Sequence, residues 1–215
     1  LIAGIFAQTV VFGATFTGAG LAEDMHSFHI RLDSFFSPTE VLPFQGRTKI
    51  TEEGKTRSYK SNFTKAPAVK VDAKIFDEQS REQRYKLPTR SHDLLSWMLH
   101  YRARTASWEK GYAETYYVWD GWKLVRLETK ILGQQTLETP YGKYKTWAVD
   151  LTRTRMKYDK DANAFKVSSE PSALGTLWFT TDAEHILVGM DFDSRIGVAN
   201  IRLAKAERDA CGKKK

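Results

Sequence analysis

Turn signals recur along this chain about every 8–12 residues, which is the spacing typical of antiparallel sandwiches and barrels. Asp120-Gly121 is the strongest of these signals, and Glu53-Gly54 is a second good hairpin turn. Between the turns, apolar and polar residues alternate, as at Phe28, Ile30 and Leu32. The pattern predicts a mostly β chain that folds as a continuous antiparallel sheet or an open β-barrel.

The predicted strands cover most of the sequence. In chain order they span residues 8–17, 27–36, 45–50, 56–63, 68–77, 112–119, 122–132, 143–156, 175–180, 185–193 and 195–204. We find no internal repeat and no linker rich in Pro or Ser. We therefore expect one β-rich domain over residues 1–206, followed by a polar, basic tail over residues 207–215.

One segment breaks the strand pattern. Residues 91–104 have apolar residues at helical spacing, namely Leu94, Leu95, Met98, Leu99 and Tyr101. Ser91 is the expected N-cap, and Asp93 suits the positive end of the helix dipole. This pattern predicts an α-helix.

The formal net charge of +7 does not predict nucleic-acid binding. Three of the cations are Lys213, Lys214 and Lys215 in the tail, and the others are interspersed with acids, as at residues 157–161. We expect a solvated surface and no nucleic-acid partner. Cys211 is the only cysteine, which excludes an intramolecular disulfide and a Cys-based metal site.

The first 22 residues carry no charge, and Gly20-Leu21-Ala22 has the form of a signal-peptidase site. The segment lacks a basic start and is interrupted by glycines. Val10, Phe12 and Phe16 have the spacing of a strand. We expect a strand of the mature domain here, and a leftover export signal is the alternative. No window of about 18 residues is free of interruption, so the sequence predicts no membrane span.

No pattern predicts catalysis, a cofactor or a metal. His26 and His29 fall on opposite faces of a strand start. His92 and His100 are eight apart on the predicted helix, which we expect to keep them too distant to share a metal and near the surface. Ser96 has no nucleophile setting, and the acid pair Asp191 and Asp193 lies on a strand without a specified cleft. We therefore assign no catalytic residue.

Four stretches resemble an uncharacterised family of exported bacterial proteins, the domain of unknown function 3108 (DUF3108). They are residues 1–4, like the tail of the family's opening hairpin; residues 92–102, like its Asp-x-Leu-Ser helix; residues 138–144, like its Thr-Pro-x-Gly turn; and residues 178–183 with Ile196-Gly197, like its closing strands. The chain departs from the helix pattern at His100 and Arg102.

This resemblance implies export to the periplasm or outer surface of a Gram-negative cell envelope. It also implies a single strongly bent sheet that wraps one α-helix. It further implies that the chain begins inside the domain and lacks about one N-terminal strand. The family carries no accepted catalytic residues, so none is transferred to this sequence.

The aromatic helix leaves two functions open. Trp97, Met98 and Tyr101, with nearby Trp108, either fill the core or line an apolar cavity between helix and sheet. A cavity indicates a non-enzymatic envelope protein that binds or carries a lipid-like ligand, such as an acyl chain. A filled core indicates an interaction module that uses sheet edges and basic faces to dock onto an envelope protein complex or peptidoglycan.

Overall fold

The computed structural model describes residues 10–17, 28–37, 40–52, 54–64, 68–75, 81–103, 108–194 and 197–202. Within these ranges the chain forms 14 β-strands and one α-helix, so the predicted mostly β class is confirmed. The elements are β1 (Val10–Thr17), β2 (Phe28–Phe36), β3 (Pro43–Glu52), β4 (Lys55–Thr64), β5 (Ala68–Ile75), β6 (Arg81–Lys86), β7 (His92–Asp93), α1 (Leu94–Ala103), β8 (Ala113–Trp119), β9 (Leu124–Thr139), β10 (Gly142–Asp159), β11 (Ala164–Val167), β12 (Ser172–Thr180), β13 (Leu187–Ser194) and β14 (Gly197–Arg202).

The chain divides into two compact units. The first comprises Leu1–Tyr101, Thr115–Leu127 and Arg153–Pro171, and the second comprises Arg102–Glu114, Glu128–Thr152 and Ser172–Lys215. That residues 1–206 form one domain stays a prediction. The predicted tail over residues 207–215 lies outside the described residues.

The first unit contains a six-stranded antiparallel meander with the order β1-β2-β3-β4-β5-β6. Its strands alternate as the sequence predicts. In β3, Thr48 and Ile50 are buried, while Arg47 and Lys49 between them are exposed. One side of this sheet is therefore apolar and covered, and the other side is polar and faces solvent.

The edge strand β6 was not predicted, because Arg81 to Lys86 has no apolar alternation. Its first four residues, from Arg81 to Arg84, are all exposed. Glu82 forms ion pairs with Lys70 at 2.7 Å and with Arg84 at 3.2 Å. Pairing with β5, and not burial, therefore keeps this charged segment extended.

Aromatic residues fill the core of the first unit. Tyr59, Val69, Val71, Leu87, Trp119 and Leu124 form a buried cluster. The Trp119 indole Nε1 donates a hydrogen bond to Ser61 Oγ at 2.9 Å, so the buried N–H is satisfied. Trp122 stacks on Tyr59 with ring centroids 4.8 Å apart. These contacts connect the six-stranded meander to the hairpin that follows the helix.

The second sheet has the order β14-β13-β12-β10-β9-β8-β7, with β11 also pairing with β10. Only β7 is parallel to its neighbour, β8, among the registers described for this sheet. In the second unit, Ile131, Val149, Leu177, Phe179 and Val188 are almost fully buried. The Thr139–Gly142 turn is confirmed, since Thr139 Oγ1 accepts hydrogen bonds from Tyr141 N and Gly142 N, both at 3.2 Å.

Most predicted strands are confirmed with shifted ends, and the predicted helix is shorter than expected. α1 begins at Leu94 and ends at Ala103, whereas the sequence pattern started it at Ser91. The predicted strand over residues 122–132 extends further, to Thr139. β6, β7 and β11 were missed because each is short, charged or both.

We predict that Gly175→Ala destabilises the protein more than Gly142→Ala. Both glycines have nearly the same backbone angle, with φ of 145° and 147°, so both variants carry similar backbone strain. A Cβ on Gly175 would overlap the Asp191 carbonyl oxygen, whereas nothing lies within 4 Å of a Cβ on Gly142. Urea unfolding should show a further loss of about 2 kcal/mol for Gly175→Ala. Equal losses would contradict the described β12–β13 contact.

Candidate functional site

The candidate site is the solvent-facing side of strands β2 to β6, which we call the outer face. The residues with described side chains on this face include seven cations, Arg31, Arg47, Lys49, Lys60, Lys70, Arg84 and Lys86, and three acids, Asp33, Asp72 and Glu82. Each alternates along its strand with a buried or inward-facing position. The outer face is therefore basic.

Cross-strand register sets the order of the charges. Asp33 lies opposite Arg47, Arg47 opposite Lys60, Lys60 opposite Asp72, and Asp72 opposite Glu82. Two cations thus stand side by side at the centre of this row, with acids on both sides. Like charges directly opposite each other on a sheet are destabilising.

The acids of the outer face bind cations at its margins. Arg31 pairs with Asp33 at 3.3 Å, and Glu82 pairs with both Lys70 and Arg84. The hydrogen bond from Lys70 is the main cause that lowers the pKa of Glu82. Within the described ranges, Arg47, Lys49 and Lys60 form no ion pair. We call these three residues the central triad.

An aromatic and amide group adjoins the central triad. The Arg47 guanidinium lies 5.1 Å from the Phe35 ring centroid, and Phe35 and Phe44 have centroids 6.4 Å apart. Gln45 Nε2 donates to Asn62 Oδ1 at 3.0 Å across β3 and β4. Phe44 is 45% exposed, which is high for so large an apolar side chain. The face therefore offers cations, amides and an aromatic surface together.

A small cleft in the first unit is lined in part by one buried acid, Asp93, and one half-buried acid, Asp120. Ser34, Thr48, Asp93, Asp120 and Gly121 are among its lining residues. Its volume is about 20 Å³, which is enough for a water molecule and too small for a substrate or an acyl chain. The groups that donate hydrogen bonds to the carboxylates of Asp93 and Asp120 therefore indicate what the cleft does.

Asp93 caps helix α1. Its Oδ1 accepts a hydrogen bond from Ser96 N at 2.8 Å, and Ser96 Oγ accepts one from Asp93 N at 3.1 Å. This reciprocal pair is a capping box with Ser in the place of Glu or Gln. The prediction of Ser91 as N-cap was wrong, since Ser91 Oγ donates to Pro88 O at 2.7 Å.

The second oxygen of Asp93 ties the helix to the sheet. Ser34 Oγ on β2 donates to Asp93 Oδ2 at 2.6 Å. Burial raises the pKa of Asp93, and the hydrogen bonds from Ser34 and Ser96 oppose that rise. The same opposing effects act on Asp120. Burial raises its pKa, and hydrogen bonds from the backbone N–H groups of Lys123 and Trp122 oppose that rise. Both acids serve local structure.

The expectation that His92 and His100 are distant and near the surface was wrong. His92 is 2% exposed, and its ring centroid lies 4.8 Å from that of His100. His92 precedes the helix in β7, and Ser96 between them is small and fully buried. His92 lies before the helix, so the helical spacing of eight residues does not set the distance between the two rings.

His92 is held in its neutral form. Burial and, to a smaller extent, the neighbouring His100 lower its pKa to about 4, and a hydrogen bond to the backbone of Val41 opposes this shift. Its Nδ1 has no hydrogen-bond partner. Val41 has a φ of 53°, a conformation rarely adopted by a β-branched residue. The His92 contact helps to hold this strained loop residue in place.

The four residues predicted to line a cavity fall in different environments. Trp97 and Tyr101 are buried, 5.9 Å apart, and each contacts Tyr116. Met98 on the same helix is half-buried. Trp108 belongs to the second unit, where it stacks on His185 at 4.2 Å and contacts Phe179 and Trp147. That the four bind a ligand together stays a prediction.

The described residues contain no group of three or more His, Cys, Asp or Glu that could hold a metal ion. Asp191 is paired with Arg202, and Cys211 and His26 lie outside the described ranges. No helix in those ranges is long and apolar enough to cross a membrane.

The sequence predicts basic faces in general terms but does not identify the residues of the outer face, because neighbours across strands depend on register. The sequence feature that indicates such a face is alternation within each strand. Each of four cations is next to a buried position, namely Arg31, Arg47, Lys49 and Lys60. The two-residue connection that pairs Glu52 with Lys55 fixes the β3–β4 register. Together these features place the cations side by side, although acids separate them in the sequence.

Comparison with known proteins agrees with the fold. A family model described as protein of unknown function (DUF3108) matches residues 6–204. The chain is also similar to the crystal structure of a β-barrel-like protein of domain of unknown function DUF1849 from Brucella abortus. That match has a TM-score of 0.51 and 10% sequence identity, and it covers 82% of this chain and 72% of that one, so it shows the fold alone. No curated protein matches the chain.

We predict that Asp93→Ala costs about 1 kcal/mol or more, whereas Asp93→Asn is tolerated at pH 7. Alanine removes the cap and the acceptor of Ser34, while asparagine keeps a capping oxygen without a buried charge. Because the pKa of Asp93 is raised in the fold, the wild type loses stability as pH rises through that pKa. The advantage of Asp93→Asn in urea unfolding should therefore shrink towards pH 4.

We predict that His92 makes the protein sensitive to acid. A folded pKa of about 4, below the ordinary 6.5, means that stability present above pH 6.5 is lost as pH falls towards 4. Urea unfolding should show a loss of about 2 kcal/mol from this residue between pH 7.5 and 5. His92→Gln should remove that loss, while His29→Gln at an exposed position should keep it. Equal pH profiles for the two variants would contradict the assignment.

Proposed function

The chain belongs to the DUF3108 family, and we propose that it is a non-catalytic module of a Gram-negative cell envelope that docks onto an anionic envelope component through its outer face. The central triad carries this proposal. Arg47, Lys49 and Lys60 are exposed, adjacent and without an ion pair in the described parts of the chain. The export expected from the sequence is part of the proposal.

The electrostatics favour an anionic partner. Arg47 and Lys60 face each other across β3 and β4, and this like-charge pair is unfavourable, although Asp33 and Asp72 on either side offset part of the repulsion. A partner's negative charge would offset that repulsion and would also steer the approach of the two molecules. From β2 to β6 the face spans four strand spacings, or about 19 Å, which suits an extended surface or polymer.

The proposal includes the absence of catalysis. Two carboxylates that line the cleft both accept hydrogen bonds from backbone N–H groups, Asp93 from Ser96 and Asp120 from Trp122 and Lys123. The cleft itself has room for a water molecule only. These features support a structural role for the acids.

The carrier of an apolar ligand expected from the sequence has less support. Trp97 and Tyr101 pack against each other and against Tyr116, as core residues do. We retain as a further part of the proposal that the sheet bends strongly and wraps α1. Lipid found by mass spectrometry in protein from the native envelope, and lost in Trp97→Ala, would restore the carrier function.

We predict that the triple variant Arg47→Gln, Lys49→Gln, Lys60→Gln binds a Gram-negative envelope fraction about a hundredfold more weakly than the wild type, since each of the three cations contributes about 1 kcal/mol near an anionic surface. Co-sedimentation measures the affinity, and added salt should weaken wild-type binding. The variant should fold with a stability within about 1 kcal/mol of the wild type, because it removes the repulsion between Arg47 and Lys60 together with their attraction to Asp33 and Asp72.

The matched control is Lys110→Gln, Lys130→Gln, Lys145→Gln. It removes the same charge from three exposed positions of the second unit. We expect this control to sediment with the envelope fraction like the wild type. If both triple variants lose binding equally, net charge and not the outer face is responsible, and the proposed docking surface is wrong.

A further inference from the structure

We propose that the partner of the outer face is an acidic glycan, a chain of N-acylated sugar rings that carries spaced carboxylates, as in peptidoglycan. This inference rests on the proposed function and names its ligand. In it, the central triad binds carboxylates, the amides of Gln45 and Asn62 bind an N-acyl group, and Phe35 with Phe44 contacts the apolar side of a sugar ring.

A bulge in the pairing of β2 with β3 positions the two aromatic rings, Phe35 and Phe44. The β2–β3 register shifts between Phe35 and Phe36, so Phe44 has no residue opposite it in the ladder. Such bulges re-aim side chains and are frequent beside binding sites. Here the bulge leaves Phe44 exposed next to Phe35, which also lies under the Arg47 guanidinium. The flat apolar surface therefore adjoins a cation of the central triad.

The amide pair matches an N-acyl group in its hydrogen-bonding pattern. The bond from Gln45 Nε2 to Asn62 Oδ1 uses one donor hydrogen of Gln45 and orients both amides. Gln45 Oε1 is then an acceptor and Asn62 Nδ2 a donor on the same face. An N-acyl group offers one N–H and one C=O, so the two sets are complementary.

The spacing of these groups suits one polymer. Gln45 and Arg47 are two residues apart on β3, or about 7 Å, and they point to the same side. Asn62 and Lys60 repeat that spacing on the neighbouring strand. The amide pair Gln45 and Asn62 and the cation pair Arg47 and Lys60 therefore lie side by side, about 7 Å apart, and one glycan chain that crosses the two strands can contact both pairs.

The acids on the outer face distinguish this ligand from a continuous polyanion. Asp33 and Asp72 lie on either side of Arg47 and Lys60 in the same cross-strand row. Nucleic acid carries a negative charge at every phosphate, so a strand crossing this row would be repelled at both acids. Carboxylates spaced along a glycan can meet the cations and avoid the acids.

The test measures the affinity of the full chain for four probes: peptidoglycan glycan strands stripped of stem peptides, neutral chitin oligomers, polyphosphate and duplex DNA. We expect the stripped strands to bind most tightly and chitin oligomers to bind weakly. Phe44→Ser and Gln45→Ala should each weaken binding to the stripped strands by about fivefold. Phe44 is exposed and Gln45 is half-buried on the solvent-facing side, so both variants should fold.

The matched controls are Tyr141→Ser, which removes an aromatic that is 53% exposed, and Gln134→Ala, which removes an exposed glutamine. Neither should change binding. Tighter binding of polyphosphate or DNA, with no effect of Phe44→Ser, would overturn the glycan inference and leave the docking proposal intact. Envelope binding that disappears after protease treatment of the envelope fraction would do the same. Failure of the chain to bind any envelope fraction or anionic probe would overturn both.

Discussion

The buried carboxylate of Asp93 is the interaction on which the first unit depends. Its backbone belongs to β7, its Oδ1 caps α1 through Ser96, and its Oδ2 accepts the hydroxyl of Ser34 on β2. A strand end, a helix start and a distant strand therefore share one side chain. Burying an acid is costly, and only this set of hydrogen bonds makes it acceptable. Gly46 nearby has no side chain, and a Cβ there would approach Asp93 Oδ2 to 3.2 Å.

The strands were largely predictable, since alternation and turn chemistry are local. Leu32 and Ser34 are buried and Arg31 is exposed, as the alternation in β2 predicts. The helix start was not predictable in the same way. Ser91 and Asp93 are both good N-caps on local grounds, and the choice between them depends on Ser34, which lies 59 residues away from Asp93 in the chain. β6 was missed for a similar reason, because pairing and not composition makes it a strand.

The candidate site was less predictable than the fold. Alternation shows which residues of one strand share a face, but the neighbours across strands depend on register. That Arg47 and Lys60 are neighbours follows from the β3–β4 register, which the short connection between the two strands sets. The histidines show the same limit, since His92 lies in β7 and not in the helix, so helical spacing does not set its distance from His100. The burial of Trp97 and Tyr101 was within reach of the sequence, which left core filling open as one alternative.

The charged edge strand β6 has a consequence for how copies of this protein behave at high concentration. A second chain that added a strand there would have to strip water from Arg81, Glu82 and Arg84, and it would gain little apolar burial in return. Growth of the meander into a fibre from this side is therefore disfavoured. In a crowded compartment, the same charges that make β6 a poor core strand keep the sheet finite, and the broad face of the sheet stays open for partners of a different kind.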